Sequence, residues 1–334
     1  MREIHYRGKI MEPLPTGANF KRAKMLWEIG LHVAGDPAIP YGGNRDMCIT
    51  VGSGGQADFR PSLKLASGSA IMAHDVVAGN IDMAFVNPSA LLTQAYRGIG
   101  VFDAPLPVRI VSNYPSWDQF AIVAHKRLGL KTVQDIKDGK VPLKISIRED
   151  PTHSTLVLID QVFAVYGFSV DDLVSWGGEI KLTGGPGNEE RRLKPLREGE
   201  LDAVADEGLS AWFDVALTHD YDTLDFSDEC FDQVCALGWR KSTIQPGGFY
   251  KKLEHDYTCF NFGGWPIYTR ESMPDDVVYD VCGAIVARQA EIPWEERSWT
   301  DVSLPFTDNE ATPMDVPLHP GTERWLKDME GKLG

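Results

Sequence analysis

The order of strand-like and helix-like segments along the chain is the feature that most constrains its fold. In the first hundred residues, short apolar runs such as residues 81–86 (IDMAFV) alternate with segments of helical apolar spacing, such as residues 20–34. The alternation returns in residues 143–206. Strands alternating with helices are typical of α/β layers. We therefore expect two similarly built α/β lobes, with a ligand at the carboxyl ends of their strands.

Length and composition agree with a two-domain globular chain. The 334 residues suffice for about two domains of ordinary size. Hydrophobic residues make up 43% and charged residues 24%, which excludes disorder, collagen and coiled coil as the main architecture. The formal net charge of −15 repels phosphate backbones, so we expect no nucleic-acid partner. An anionic small molecule is still possible as a ligand, because the local electrostatic field of a small pocket can differ from that of the whole protein.

The N-terminal sequence and the cysteines bear on the compartment. Residues 1–10 (MREIHYRGKI) have no apolar core or small-residue cleavage site, and the chain has no apolar run of membrane-spanning length. We expect no membrane insertion and a cytoplasmic location for the chain as given, or a periplasmic one if a leader has been removed. The odd number of cysteines, without a CxxC pair, favours reduced thiols. The cysteine and histidine spacings match no zinc site, so we expect no metal.

Three junctions between a predicted strand and the next helix supply candidate ligand-binding residues in the first block. Backbone amides at helix starts, with small polar side chains beside them, suit an anionic ligand. The candidates are Thr16, Gly17, Asn19, Phe20, Ser67, Gly68, Ser69, Asn87 and Ser89. The polar side chains among them could equally cap their helices, and the sequence leaves both roles open.

The second block has a more polar junction at residues 148–155 (REDPTHST). Helix amides and the hydroxyls of Thr152, Ser154 and Thr155 would suit a carboxylate. Arg148 could add a bidentate ion pair. His153 could bind the ligand or serve as a general acid, although a loop histidine is also often a plain surface residue.

Asp206 and Glu207 follow the last predicted strand of the second block. Paired acids at a strand end could bind a ligand amine or serve in acid/base chemistry, and they could also be simply solvated. We include Asp206 among the ligand-binding candidates. The sequence has no P-loop, no nucleophile elbow and no GxGxxG segment after a strand, so we expect no cofactor.

Four segments together carry a family pattern. They are residues 66–98 (ASGSAIMAHDVVAGNIDMAFVNPSALLTQAYRG), 196–208 (LREGELDAVADEG), 274–286 (PDDVVYDVCGAIV) and 317–328 (PLHPGTERWLKD). The LHPG element of the last segment is the most specific. In this order, over almost the whole chain, the segments resemble the TAXI family of TRAP-transporter solute receptors.

The resemblance implies a type II periplasmic-binding-protein fold, which is α/β with two lobes, each a mixed sheet flanked by helices. It implies lobe I in residues 1–118 and 266–334, lobe II in residues 119–265, and hinge strands near residues 119–124 and 258–268. A small organic acid, such as an aromatic carboxylate, would bind in the cleft between the lobes, and hinge closure would bury it. TRAP membrane subunits would be partners if the protein is exported.

Two departures from the family pattern support an alternative. Family members carry a leader, and their second-lobe anion loop is rich in glycine and serine where this chain has the bulkier residues 148–155. Leaderless enzymes such as 4,5-dihydroxyphthalate decarboxylase share the fold. The alternative is a cytoplasmic, cofactor-independent decarboxylase (a carboxy-lyase) of an aromatic or polyacidic carboxylate. Arg148 would then hold a retained carboxylate, and His153, Asp206 or Glu207 would protonate the carbanion.

Overall fold

The structure is a computed structural model that describes residues 5–6, 9–10, 18–35, 48–52, 62–67, 70–184, 189–295 and 303–330. Its strands are β1 His5–Tyr6, β2 Lys9–Ile10, β3 Cys48–Gly52, β4 Ser62–Ser67, β5 Met83–Phe85, β6 Val108–Tyr114, β7 Gln119–His125, β8 Lys144–Arg148, β9 Glu179–Gly184, β10 Ala203–Asp206, β11 Tyr221–Thr223, β12 Arg240–Ile244, β13 Tyr257–Asn261 and β14 Trp265–Arg270. Its α-helices are α1 Ala18–Gly35, α2 Met72–Ala78, α3 Ser89–Arg97, α4 Val133–Gly139, α5 Ser154–Val165, α6 Val170–Ser175, α7 Glu189–Arg197, α8 Leu209–Thr218, α9 Asp228–Ala236, α10 Asp275–Ala287 and α11 Pro320–Asp328.

The longer strands form two mixed sheets flanked by helices. The first sheet has the order β3-β4-β5-β14-β6, in which β4 and β5 run parallel. The second has the order β12-β13-β7-β10-β8-β9, and β11 also pairs with β7. Strands β9, β8 and β10 run parallel, whereas β7 is antiparallel to β10. This arrangement confirms the predicted fold class.

The chain passes from one sheet to the other along two adjacent segments. Strand β6 of the first sheet leads through residues 115–118 into β7 of the second, and β13 returns through residues 262–264 to β14. The Phe262 amide donates to the Asp118 carbonyl at 2.9 Å, and the Gly264 amide donates to the Ser116 carbonyl at 3.2 Å. The two crossing segments are therefore hydrogen-bonded side by side.

The centre of the second sheet is apolar along its length. Ala121, Ile122 and Val123 of β7 are fully buried, as are Val204 and Ala205 of β10. Strands buried on both faces read as continuous apolar runs, and both segments have this pattern in the sequence. This core holds the polar ends of the neighbouring strands in fixed positions.

The LHPG element closes the C-terminal side of the first sheet. The His319 side chain caps α11 by accepting a hydrogen bond from the Gly321 amide at 3.1 Å, and Pro320 fits the first helical turn. A Cβ on Gly321 would lie 2.4 Å from the Asp275 carbonyl oxygen, so glycine allows α11 to pack closely on α10. Trp325 of α11 is then fully buried.

Candidate functional site

Charged side chains meet where the parallel strands of the second sheet end. Arg148 is the last residue of β8, Asp206 the last of β10, and Gly184 the last of β9. Parallel strands end at one edge, so these residues lie together as the strand pattern predicts. We call Arg148, Arg192, Asp206 and Glu207 the charged cluster.

The charged cluster is a chain of buried ion pairs. Arg192 Nη1 lies 2.6 Å from Asp206 Oδ2, and Arg148 Nη2 lies 3.2 Å from Asp206 Oδ1. The same Arg148 Nη2 also contacts Glu207 Oε1. The four side chains are at most 10% exposed, and that of Asp206 is fully buried. Each buried acid is thus compensated by an arginine of the chain itself, as burial of charge requires.

Arg192 is fixed by its neighbours as well as by its charge. It lies on α7, and its Nε donates to Ser146 Oγ at 2.8 Å, whose other hydroxyl contact is Thr183 Oγ1 at 2.7 Å. A Cβ on Gly184 would lie 2.0 Å from Arg192 Nη2. Glycine at the end of β9 therefore provides the space that the guanidinium occupies.

His153 caps helix α5 and faces the cluster with its other ring nitrogen. Its Nδ1 accepts a hydrogen bond from the Thr155 amide at 3.2 Å, so the neutral ring carries its proton on Nε2. That Nε2 lies 3.8 Å from Glu207 Oε1, beyond hydrogen-bonding distance. Burial and the neighbouring Arg148 lower the pKa of His153 to about 4, so the ring is uncharged at neutral pH.

Asp118, in the crossing segment before β7, adds a third acid beside the cluster. It accepts hydrogen bonds from the Gln119 amide at 2.9 Å and from the Gly208 amide at 3.0 Å. Burial raises the pKa of Asp118 to about 7, and Asp206 adds to the rise, against the lowering effect of the two amides and of Arg148. A carboxyl group that titrates near neutrality beside a charged cluster is a common property of functional sites.

The first sheet meets this region through the segment after β5. Ser154 Oγ, in the first turn of α5, donates to the Asn87 carbonyl oxygen. Further along the same helices, Gln161 of α5 and Gln94 of α3 exchange side-chain hydrogen bonds at 3.4 Å. The predicted junctions at residues 87–89 and 148–155 are therefore in direct contact.

Several predicted residues have partners within the chain. The Ser89 hydroxyl donates to the Gly264 carbonyl at 3.2 Å. Thr152 forms a turn with Asp150, in which the Thr152 amide and hydroxyl both donate to Asp150 Oδ1, at 2.8 and 2.7 Å. Thr155 is fully buried, and its hydroxyl lies 3.0 Å from His153 Nδ1. The guanidinium of Arg148 already contacts Asp206 and Glu207, and its role toward a ligand stays a prediction.

The remaining first-block candidates cannot be placed at the site. Thr16, Gly17, Gly68 and Ser69 lie outside the described residues, and so do the side chains of Asn19 and Phe20 in α1. Ser67 ends β4 and is half-buried. Their roles as ligand-binding residues stay predictions.

Two members of the site were not predicted from the sequence. Asp118 stands in the segment SWDQF, which matches no motif. Arg192 sits in the charged helix EERRLKPLR, where a charged side chain is ordinarily solvated. A signal was nevertheless present, because Arg192 precedes the buried Leu196 by four residues and so shares its helix face.

Three kinds of feature are absent from the residues that the structure describes. Within them, no helix is both long and apolar enough to span a membrane. The same residues contain no group of three or more His, Cys, Asp or Glu side chains placed to hold a metal ion. The described cysteines, Cys48, Cys230, Cys235, Cys259 and Cys282, form no disulfide and are free thiols.

Comparison with solved structures gives remote matches. A protein from Bordetella bronchiseptica RB50 has a TM-score of 0.42 and 13% identity, covering 79% of this chain and 86% of that one. Lactococcal OpuAC, in its closed-liganded conformation complexed with glycine betaine, has a TM-score of 0.37 and 10% identity, over 79% and 83% of the two chains. A TctC solute binding protein from Polaromonas has a TM-score of 0.34 and 15% identity, over 70% and 72%. The sequence itself matches the model of the NMT1-like family over residues 51–329, and this chain therefore belongs to the NMT1-like family.

Proposed function

We propose that this protein binds a small organic carboxylate between its two sheets, as a solute receptor of the TAXI kind. The observation that carries the proposal is the state of Arg148, which is 8% exposed and whose Nε has no hydrogen-bond partner among the described residues. A buried guanidinium with an unused donor is costly unless some acceptor completes it. A ligand carboxylate is the acceptor that an arginine fork suits best.

The surroundings of Arg148 support an anionic ligand. Helix α5 starts six residues later, and its first-turn amides favour negative charge. Across the contact between the sheets, the buried Oδ1 of Asn87 has no partner within the described part of the chain. It would accept a hydrogen bond from a hydroxyl or amine of the ligand, and Ser154 would stand beside it.

Two sheets joined by paired crossing segments suit a hinged receptor. In this proposal, residues 1–118 and 266–334 form lobe I, residues 119–265 form lobe II, and the hinge runs through residues 119–124 and 258–268. Closure of such a hinge buries a ligand and gives the receptor the shape that its partner recognises. Membrane subunits of a TRAP transporter would be that partner if the protein is exported.

A thermal-shift screen of small aliphatic and aromatic carboxylates, followed by calorimetry on the best ligand, tests the proposal. Arg148→Lys keeps the charge but loses the planar fork, and should weaken binding by about tenfold or more. Arg109→Lys is the matched control, because Arg109 is not part of the charged cluster. Its guanidinium pairs with Glu271, at a distance of 2.5 Å. Binding that Arg148→Lys leaves unchanged would contradict the proposal.

A second candidate function, decarboxylation of a carboxylate, has one observation in its favour. Asp118 has a pKa of about 7, so it can hold a proton at neutral pH and give it to a carbanion. His153, with a pKa near 4, is a poor proton donor at that pH. In such a reaction the C–C bond to the leaving carboxylate breaks, CO₂ departs, and the electron pair left on carbon takes the Asp118 proton. Release of CO₂ from an aromatic carboxylate, abolished in Asp118→Asn, would establish this activity, and binding without turnover would exclude it.

A further inference from the structure

Arg148 is shared by two acids that are held very differently. Asp206 is fully buried between two arginines, Arg148 on one oxygen and Arg192 on the other. Glu207 contacts Arg148 through Oε1, and among the described residues no second arginine contacts it. Glu207 is therefore the terminal member of the charged cluster, and its departure would break one ion pair where that of Asp206 would break two.

The position of Glu207 in the chain allows its side chain to move while its backbone stays fixed. Its carbonyl accepts a hydrogen bond from the buried Trp212 indole at 3.0 Å, and its amide donates to Asp206 Oδ1 at 2.9 Å. Neither hydrogen bond involves the Glu207 side chain. The His153 Nε2–H lies 3.8 Å from the same Oε1, and a small rotation of the Glu207 side chain would bring this donor within hydrogen-bonding distance.

We propose that Glu207 is an internal competitor for the ligand, occupying with its own carboxylate the position on Arg148 that a ligand carboxylate takes. The inference rests on the proposed function. When a ligand binds, Arg148 exchanges one carboxylate for another, and Glu207 turns toward His153. The exchange sets the specificity of the site, because only an anion that holds Arg148 better than Glu207 does displaces it.

Calorimetric titration of the full chain with benzoate, phthalate and succinate tests the exchange. Glu207→Gln removes the competing charge while keeping the shape, and should bind the probes at least about tenfold more tightly than wild type. Glu271→Gln is the control, since it removes one negative charge beside Arg109, on the first sheet, and should leave affinity unchanged. Equal or weaker binding by Glu207→Gln overturns the inference.

Glu207→Asp separates displacement from simple charge repulsion. It keeps the negative charge but shortens the side chain by one methylene group, so it should reach Arg148 less well and bind the probes with intermediate affinity. If Glu207→Asp binds the probes with wild-type affinity while Glu207→Gln binds them more tightly, only the negative charge at position 207 matters. Charge repulsion of the ligand then explains the data, and the inference is overturned. This variant also serves if Glu207→Gln does not fold.

The outcomes distinguish this inference from the proposed function. Binding of the probes at equal affinity by wild type and both Glu207 variants overturns the competitor and leaves the carboxylate receptor standing. Absence of binding by wild type and by both variants, each shown to be folded by its thermal transition, overturns both. Binding by Glu207→Gln where wild type shows none supports both.

Discussion

The two buried arginines of the charged cluster should contribute more to the stability of the fold than surface arginines do. Asp206 has no water to replace a lost partner, because its side chain is fully buried. Surface ion pairs contribute little, whereas removing one partner of a buried pair leaves an uncompensated charge. Neighbouring residues of α7 allow a direct comparison, since Arg192 is buried and Arg191 is on the surface.

Arg192→Met should lower the free energy of unfolding by about 3–5 kcal/mol, because Asp206 then keeps only one arginine, Arg148, to compensate its buried charge. Arg191→Met is the control, since Arg191 pairs with Glu149 at 2.8 Å and its side chain is 57% exposed. The control should cost less than about 1 kcal/mol. Urea denaturation measures both. Similar losses in the two variants would show that the cluster is not buried as described.

Asp118 should make stability depend on pH. Its pKa of about 7 in the folded protein exceeds the ordinary 3.8, so the folded state binds the proton more tightly than the unfolded chain. Its contribution is therefore full below pH 4 and is lost as the pH rises to 7. Asp118→Asn should be more stable than wild type at pH 8, by up to about 4 kcal/mol, as urea denaturation would show.

His153 gives the pH dependence the opposite sign. Its pKa falls from 6.5 to about 4, so its contribution is present above pH 6.5 and is lost as the pH falls through 4. In wild type the two groups partly cancel between pH 4 and 6.5. In Asp118→Asn only the trend of His153 remains, so stability should rise more steeply with pH. Parallel pH profiles for the variant and wild type would contradict the assignment.

At the scale of elements, the end of strand β9 is shaped by the charged cluster. A Cβ on Gly184 would lie 2.0 Å from Arg192 Nη2 and 2.5 Å from Asp206 Oδ2. Gly184→Ala should therefore cost about 1–3 kcal/mol, as overpacking of a filled interior does. Urea denaturation of the single variants and of Gly184→Ala combined with Arg192→Met measures the coupling. The double variant should lose less stability than the two single variants lose together, because methionine at position 192 removes the guanidinium with which the new Cβ clashes. Strict additivity would contradict the contact.

Helix and strand positions follow from apolar spacing and were predictable. Strands and helices were expected to alternate in residues 143–206, and this block contains helix α7, Glu189–Arg197. The last strand expected in that block was placed directly before Asp206, and β10 is Ala203–Asp206. Such local patterns reflect which face of an element is buried, and a single sequence records that directly.

Side-chain partners depend on contacts between distant segments and were only partly predictable. Arg148, His153, Asp206 and Glu207 were expected at one site because strand ends of one sheet meet at one edge. The partner of Ser89 is the Gly264 carbonyl, 175 positions along the chain, which no local pattern encodes. Likewise, the sequence indicated Arg148 as an anion site but gave no sign that Glu207 would fill it.

At the scale of the whole molecule, the two sheets are linked by a contact between helix α3 of the first sheet and helix α5 of the second. Gln161 of α5 accepts a hydrogen bond from the Trp239 indole at 2.6 Å and exchanges bonds with Gln94 of α3 at 3.4 Å. Gln94 is fully buried, and its Oε1 also accepts from the Val101 amide at 3.4 Å. One glutamine thus joins both sides of the proposed cleft, and opening the hinge would break its bond to Gln94.

Gln161→Ala should therefore shift the protein toward an open form. The change leaves the side-chain NH₂ of Gln94 and the Trp239 indole N–H without their acceptor in the closed form, at a cost of about 1–3 kcal/mol, whereas an open form exposes them to water. A shift of about 2 kcal/mol changes the ratio of forms about thirtyfold, and a ligand that needs the closed form should bind more weakly. Small-angle scattering should show a larger radius of gyration without ligand, restored at saturation. Gln233→Ala is the control, because Gln233 bonds only to Glu229 of its own helix, at 2.9 Å, among the contacts the structure describes. An unchanged radius and affinity in Gln161→Ala would mean that this contact does not hold the two sheets together.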